Sequence, residues 1–259
     1  MACVKNPPFQ IYDALGSAGK PTKTEMDALG IAEIAVVGVS HFEGHLESRL
    51  ERLPRKKNMD YVLCVDARFG ERVQDMCLDL EHWPVRDPTS HAKYLKVMQM
   101  AKSLRPLKRF GYFEILPNMR LADFANSQGL PGTPERIEYD QLTALRQPVA
   151  DICDYIAPSL YSYWPDLETW KAFADLVIAT AIQMANGKPV YPFLCPRYMP
   201  LANMGEAFVS GEMWRAQMEY LWTECDGIIL WDYFGRPMNQ ADAWWQETIA
   251  FAGSMGGGL

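Results

Sequence analysis

The sequence contains no apolar run long enough to cross a membrane. A membrane-spanning helix needs about 20 consecutive apolar residues, and no uninterrupted apolar stretch in the 259-residue chain approaches that length. The first residues also show no basic segment followed by an apolar one, which a secretory signal would have. We therefore expect no membrane partner and a cytoplasmic location, unless the protein is exported or released by other means.

Basic charge is also scarce. The chain has 25 Lys and Arg residues against 32 Asp and Glu residues, a net charge of −7 and a sequence pI of about 5.2. No basic stripe of the kind that follows a nucleic-acid backbone is present. We therefore expect no nucleic-acid partner.

Metal-ligand patterns are missing as well. The four histidines are dispersed, and none of the six cysteines forms a Cys-x-x-Cys pair. Cys64, Cys77, Cys153 and Cys195 lie in strand-like or apolar runs, which indicates buried thiols in a reducing compartment rather than disulfides or a zinc site. We therefore expect no metal and no cofactor.

The sequence does contain a repeated alternation of short apolar runs with helical patterns. Predicted strands cover residues 9–14, 31–39, 61–65, 76–83, 109–116, 155–161, 190–195 and 227–231. Predicted helices cover residues 43–53, 90–104, 135–150, 167–186, 206–223 and 241–252, with a short turn or helix at 23–29 and a loop at 118–134.

This alternation predicts an α/β fold, specifically a single (β/α) TIM-type barrel of seven or eight strands that fills residues 1–259 as one catalytic domain. The barrel can be distorted, because the strands at 61–65 and 76–83 are closer in sequence than a parallel crossover normally requires. An open doubly wound sheet is the alternative. It predicts a Gly-rich phosphate loop after an early strand, and the sequence has none.

The stretch from Met76 to Trp83 carries the most informative chemistry. It predicts a buried strand that ends in two carboxylates, and residues two apart on a strand point to the same face. Asp79 and Glu81 would therefore project together, and one of them would keep its proton near neutral pH. A carboxyl that holds its proton is the general acid that cleavage of a glycosidic bond requires. The alternative is a polar strand end that faces water.

Polar and aromatic residues collect at the predicted strand ends, where the active site of a barrel lies. They are Asp79, Glu81, Glu114, Tyr161, Tyr163, Trp164, Arg197, Tyr198, Trp231, Asp232 and Tyr233. Sugars stack their apolar faces on aromatic rings and hydrogen-bond through their hydroxyl groups, so this set favours a carbohydrate cleft. The alternative is that the aromatic residues are core fillers.

Five segments of the chain resemble, in order, strands of the hyaluronidases, a family of glycoside hydrolases. The first is similar to the family's Asp-x-Glu-x-Trp catalytic strand, and the third to its Pro-Ser-φ-Tyr strand. The segments are Leu78-Asp79-Leu80-Glu81-His82-Trp83-Pro84, Phe110-Gly111-Tyr112-Phe113, Ala157-Pro158-Ser159-Leu160-Tyr161, Pro189-Val190-Tyr191-Pro192-Phe193 continuing to Tyr198, and Gly227-Ile228-Ile229-Leu230-Trp231.

The resemblance implies a retaining endo-glycosidase that acts on an N-acetylhexosamine-containing oligo- or polysaccharide, with the substrate's own acetamido oxygen as nucleophile. Glu81 would be the acid/base, and Asp79 would orient and polarise the acetamido group. Tyr161 and Tyr198 would hold the acetamido group and the sugar, and Trp231 would form a wall of the −1 subsite. The remaining candidate substrate-binding residues are Tyr112, Glu114, Tyr163, Arg197 and Asp232.

Two other functions remain open at this point. A hydrolase with two protein carboxylates would pair Glu81 with Asp232 or Glu114, at about 5–9 Å across a cleft. A barrel that binds a glycan without cleaving it is the second, because a fold does not fix a function. Asp79 and Glu81 are too close in sequence to flank a sugar ring, which favours the substrate-assisted reaction. The sequence predicts neither the sugar, nor the linkage, nor the oligomeric state.

Overall fold

A computed structural model describes residues 8–38, 53, 59–60, 63, 73–81, 83–200 and 204–256 of the chain. The chain divides into two compact units. Unit 1 comprises Met1–Glu33, Ser159–Ile178 and Val190–Leu259, and unit 2 comprises Ile34–Pro158 and Ala179–Pro189.

Strands and helices alternate along the described residues. The strands are β1 (Gln10–Asp13), β2 (Ile31–Gly38), β3 (Asp75–Asp79), β4 (Arg109–Tyr112), β5 (Phe193–Leu194) and β6 (Gly227–Leu230). The helices are α1 (Lys23–Ala28), α2 (Pro88–Leu104), α3 (Leu121–Ser127), α4 (Pro134–Ile152), α5 (Leu167–Ala185), α6 (Gly211–Glu224) and α7 (Ala243–Gly256). No described helix combines the length and the apolarity that a membrane span requires.

The sheet of unit 1 is parallel, in the order β5-β6-β1-β2. Ile11 on β1 lies opposite Ile31 on one side and Ile228 on the other. All four residues of β6 are buried, as in a parallel sheet covered on both faces. Gly227 begins β6 where a Cβ atom would lie 2.2 Å from the carbonyl oxygen of Gln10, so only glycine allows this close strand contact.

The sheet of unit 2 is also parallel, in the order β2-β3-β4. Leu78 on β3 pairs with Val37 on β2 and with Tyr112 on β4. Gly111 makes room on β4 for the ring of Tyr155, which a Cβ atom would approach to 2.3 Å. Because neighbouring parallel strands run the same way, the C-terminal ends of β3 and β4 lie at one edge of this sheet.

Several helices begin at a residue that caps their first free N–H groups. The side chain of Asp87 accepts from the N–H of Thr89 at the start of α2, and Pro88 takes the first helical position. Thr133 and Ser210 cap α4 and α6 in the same way. Helix α6 begins at Gly211, after the Ser210 cap, rather than at the predicted residue 206.

Two predicted elements are wrong. Residues 155–161 form no continuous strand; they make isolated bridges from Ala157 to Phe113 and from Ser159 to Phe193. Pro158 has no N–H to donate, which interrupts a hydrogen-bond ladder at this point. The predicted loop at 118–134 contains the helix α3.

Other predictions are confirmed or remain open. An α/β fold with parallel strands is confirmed. The predicted strand at 61–65 and helix at 43–53 lie outside the described residues, apart from 53 and 63. Cys77, Cys153 and Cys195 are buried thiols, as predicted, and Cys64 lies outside the described residues. A closed barrel of seven or eight strands that forms a single domain stays a prediction.

Candidate active site

Three carboxylic residues lie at the ends of β3 and β4 in unit 2. Asp79 is the last residue of β3, Glu81 follows in the next turn, and Glu114 comes two residues after β4. The N–H of Phe113 donates to the carbonyl oxygen of Leu78 at 3.0 Å, which extends the pairing of the two strands to this edge. We call Asp79, Glu81 and Glu114 the acid cluster.

Burial dominates the electrostatics of the acid cluster. Burial, followed by the charge of Glu81, raises the pKa of Asp79 to about 7. Burial, followed by the charges of Glu81 and Asp79, raises the pKa of Glu114 to about 7. Burial also raises the pKa of Glu81, although part of this residue is exposed to solvent. At neutral pH the cluster therefore retains protons that isolated carboxyl groups would lose.

A hydrogen bond links Glu81 and Glu114. It lowers the pKa of Glu81 and raises that of Glu114, so it favours the ionised form of Glu81 and the protonated form of Glu114, although burial keeps the pKa of Glu81 above its ordinary value. Two interacting carboxyls of this kind lose their protons as a coupled pair rather than independently. Asn118 also donates from Nδ2 to Oε1 of Glu114 at 3.4 Å, at the outer limit of a hydrogen bond.

No basic side chain among the described residues forms an ion pair with the acid cluster. The ion pairs of unit 2 involve other acids, among them Asp75 with Arg109 and Asp123 with Arg86. The same described part of the chain holds no group of three or more His, Cys, Asp or Glu side chains arranged for a metal ion. The protonation of the acid cluster is thus governed by burial and by contacts between carboxyl groups, without an ion-paired cation among the described residues.

Tyr94 of α2 fixes the turn that carries Glu81. Its hydroxyl group lies 3.2 Å from the carbonyl oxygen of Leu80 and 2.9 Å from that of Trp83, on either side of Glu81. Tyr112, a predicted substrate-binding residue, is fully buried and donates to the carbonyl oxygen of Tyr94 at 2.8 Å. Tyr112 therefore helps to hold Tyr94, which in turn contacts the turn that carries Glu81. A substrate contact of Tyr112 stays a prediction.

Unit 1 contains a group of contacting aromatic rings. Tyr161 stacks on Trp231 with ring centroids 5.4 Å apart and planes inclined by 20°. Tyr163 lies beside Tyr161 at 6.4 Å, and Tyr233 meets Trp231 edge-on at 5.1 Å. Trp231 and Tyr163 are half-buried, so each retains ring surface that a sugar could contact.

Arg197 and Asp232, both in unit 1, form a buried ion pair. The Nε atom of Arg197 donates to Oδ1 of Asp232 at 2.8 Å, and Asp232 has no exposed surface. Asp232 also accepts from the Ser17 hydroxyl group and from the N–H of Tyr233, each at 2.8 Å. The guanidinium of Arg197 lies 4.0 Å from the ring centroid of Phe208 and donates to two carbonyl oxygens. These partners favour a structural role, and the predicted substrate contacts of Arg197 and Asp232 stay predictions.

Tyr198 is buried in unit 1, and its hydroxyl group contacts the sulfur of Met213 at 3.4 Å. Burial raises the pKa of this hydroxyl group. A thioether is a weak acceptor, so this contact of the Tyr198 hydroxyl group contributes little to the stability of the protein.

The structure divides the predicted residues between the two units. Unit 2 contains the acid cluster and Tyr112. Unit 1 contains two groups of contacting residues: the rings of Tyr161, Tyr163 and Trp231, and the ion pair of Arg197 with Asp232. Tyr94 and Ser17 are not among the residues predicted from the sequence. No sequence motif marks Ser17, which lies 215 residues from Asp232, and Tyr94 lies within the predicted helix at 90–104.

Solved structures resemble this chain, although no protein-family model matches it and curated proteins give no significant match. Bee venom hyaluronidase in complex with a hyaluronic acid tetramer aligns with a TM-score of 0.64 at 14% identity, over 96% of each chain. Active domain 2 of a thermostable chitinase from Pyrococcus furiosus, in complex with chito-oligosaccharides, aligns with a TM-score of 0.54 at 10% identity, over 91% of this chain and 77% of that one. A GH2 β-galacturonidase from Eisenbergiella tayi aligns with a TM-score of 0.51 at 10% identity, over 92% of this chain and 44% of that one.

At identities of 10–14%, these similarities show the fold alone. The fold is the α/β architecture found in TIM-barrel glycosidases.

Proposed function

We propose that this protein is a glycoside hydrolase that cleaves an N-acetylhexosamine-containing glycan within the chain, with Glu81 as the acid/base. The observation that carries the proposal is the acid cluster, in which Glu81 is hydrogen-bonded to a second carboxyl and has no compensating cation among the described residues. A site that keeps carboxyl protons at neutral pH is suited to donating one to a leaving oxygen.

The contacts of the other acids support a nucleophile that comes from the substrate. Two protein carboxyls that flank a sugar ring stand at least about 5 Å apart. Glu114 is hydrogen-bonded to Glu81, which is closer than that separation allows. Asp232, the other candidate partner, is fully buried and occupied by Arg197 and Ser17. The two-carboxylate alternative therefore has less support than the substrate-assisted reaction.

In the proposed reaction the acetamido oxygen of the substrate attacks the anomeric carbon as the glycosidic bond breaks. Glu81 gives its proton to the leaving oxygen, and Asp79 orients and polarises the acetamido group. Glu81 then takes a proton from the water that opens the cyclic intermediate, which returns the anomeric centre with retention of configuration.

Trp231, Tyr161 and Tyr198 of unit 1 are sugar contacts that the resemblance to the hyaluronidases implies. Trp231 offers a half-buried ring for an apolar sugar face, and Tyr161 is held against it by stacking. Tyr198 would direct its hydroxyl group at the substrate. Two of the similar solved structures hold a hyaluronic acid tetramer and chito-oligosaccharides, which both contain N-acetylglucosamine, and this supports the proposed class of substrate.

The test is the release of reducing ends from hyaluronan, chondroitin, chitin oligomers and peptidoglycan. Wild type is compared with Glu81→Gln and with the control Glu135→Gln, which changes a glutamate in the first turn of α4. We expect wild type and the control to cleave at least one polymer, and Glu81→Gln to lose about 10²–10⁴ of the rate. Equal rates for all three proteins would remove Glu81 from the mechanism, and binding without cleavage would support a glycan-binding barrel.

A second measurement tests the substrate's part in the reaction. Removal of the acetyl groups from the polymer that is cleaved should abolish turnover, because the nucleophilic oxygen is then absent. The first product formed should have the configuration of the substrate. Inversion, or equal turnover of the deacetylated polymer, would favour a protein carboxylate or water as the nucleophile.

A further inference from the structure

Glu114 has a backbone conformation that glutamate rarely adopts. Its φ angle is +59°, in the left-handed region that glycine occupies without a steric cost. The N–H of Ile115 donates to the carbonyl oxygen of Phe113 at 2.7 Å, so Glu114 is the central residue of a tight three-residue turn. The N–H of Glu114 donates to Ala157 at 3.1 Å, which fixes the turn in unit 2.

The carboxyl of Glu114 occupies an unfavourable electrostatic position as well. The titratable groups that face it are Asp79, at the end of β3, and Glu81, in the turn that follows. Asn118 of its own loop donates to it at 3.4 Å, and no described Lys or Arg side chain forms an ion pair with it. Glu81 in turn faces Glu114, Asp79 and the hydroxyl group of Tyr94.

Glycine at position 114 would remove both costs. Strained backbone that the surrounding structure maintains is a sign of function when the strained residue also contacts a reactive group. Here the side chain that the strain places is the one hydrogen-bonded to the proposed acid/base.

We infer that Glu114 is a positioning residue for Glu81: it stays protonated through the reaction and donates a hydrogen bond to the Glu81 carboxylate that forms when Glu81 gives up its proton. The inference rests on the proposed function. In the first step the O–H bond of Glu81 breaks and the proton goes to the leaving oxygen. In the second step Glu81 recovers a proton from water. Glu114 exchanges no proton with the substrate in either step.

The experiment compares two substitutions of nearly equal size. Glu114→Gln keeps a donor for Glu81 and cannot ionise, whereas Glu114→Met removes the donor. A permanent donor stabilises the ionised form of Glu81, so the activity of Glu114→Gln should decline at a pH about one unit lower than that of Glu114→Met. Glu114→Met should also lose about ten- to a hundredfold in rate, because it leaves the carboxylate without its hydrogen bond. Identical pH profiles for the two variants would overturn the inference.

A matched control separates this role from backbone strain. Gln128 is a second left-handed residue of unit 2, with a φ angle of +48°, and lies at the end of α3. Gln128→Met should leave the pH profile unchanged. Glu114→Gly should unfold at a higher temperature than wild type and yet lose activity as Glu114→Met does. A Glu114→Gly enzyme with wild-type activity would show that Glu114 has no part in the reaction.

A readout that needs no substrate distinguishes failure of the inference from failure of the proposed function. Infrared titration of isotope-labelled glutamate carboxyls should show that Glu81→Gln shifts the titration of Glu114. If that shift is present but wild type cleaves no glycan, the proposed function fails and the positioning role fails with it, although the hydrogen bond stands. If wild type cleaves a glycan but the shift and the pH difference are absent, only the inference fails.

Discussion

Asp232 in unit 1 and Asp79 in unit 2 both lie at the C-terminal end of a buried parallel strand, but only Asp232 meets a cation. Asp232 is fully buried, and Arg197 lies 2.8 Å from it. Asp79 is partly buried, forms no ion pair in the described part of the chain, and has a pKa raised to about 7. An aspartate at the end of a strand is thus paired with a cation in unit 1, whereas the corresponding aspartate in unit 2 has no cation and retains a proton near neutral pH.

The difference shows how these units use buried charge. A buried carboxylate with a cation and two further donors keeps its charge and fixes the chain around it. A buried carboxylate with only other carboxyls nearby gives up its charge near neutral pH. The first arrangement supports structure, and the second is suited to proton transfer, at a cost in stability.

The largest effect should come from breaking the paired arrangement. Asp232→Asn removes the charge that compensates Arg197 while it keeps the side-chain size. We expect a loss of about 3–5 kcal/mol in the free energy of unfolding, because the guanidinium is left buried without a compensating charge. Urea denaturation followed by tryptophan fluorescence measures this.

Glu206→Gln is the control, since Glu206 pairs with Arg236 in the same unit but both side chains are about half exposed. An exposed pair contributes about 1 kcal/mol or less. If Asp232→Asn were no less stable than Glu206→Gln, the pair would not have the structural role assigned to it.

A smaller effect should appear in the pH dependence of stability in unit 2. The folded pKa of Asp79, about 7, lies above the ordinary value of 3.8 for an aspartate, so between these values the native state holds a proton that the unfolded state has lost. The stability of wild type should therefore fall as pH rises through this range, by at most about 1.4 kcal/mol per pH unit for this proton. Asp79→Asn should flatten the curve and be more stable than wild type at pH 8.

The cap of α2 provides a control of opposite sign. Hydrogen bonds from Thr89 lower the pKa of Asp87, so its contribution to stability is present above its unfolded pKa and is lost as pH falls. Asp87→Asn should therefore lose most stability relative to wild type at neutral pH and least in acid. A curve for Asp79→Asn that parallels wild type across pH 4–7 would contradict the raised pKa of Asp79.

The smallest effect on stability is expected from Tyr198→Phe. The lost contact is with the sulfur of Met213, so the free energy of unfolding should change by less than about 0.5 kcal/mol. Tyr94→Phe should cost more, since its hydroxyl group contacts two buried carbonyl oxygens. Loss of activity in Tyr198→Phe without loss of stability would support a substrate contact; full activity would remove Tyr198 from the proposed site.

Local pattern was enough to predict much of the fold. β2, α2, α4 and α5 begin and end within two residues of their predicted bounds, because apolar periodicity, prolines and capping residues act over a few residues. The strand predicted at 155–161 was wrong because the prediction followed the apolar pattern and gave too little weight to Pro158. Helix α3 was missed because it is only seven residues long and lies among Gly and Pro residues.

The sequence by itself determined that Asp79 lies at the end of a buried strand, since strand periodicity and apolar content are local properties. The strand was predicted to run to residue 83, but it ends at Asp79, and Glu81 lies in the turn that follows. Only the tertiary structure decided the chemistry of the other acids. The register of β3 and β4 brings Glu114 to Glu81, and the left-handed turn directs it there. Chain folding over 35 residues gives Asp232 the cation that Asp79 lacks. A pKa depends on burial and on charges within a few ångströms, and these are set by neighbours in space rather than in sequence.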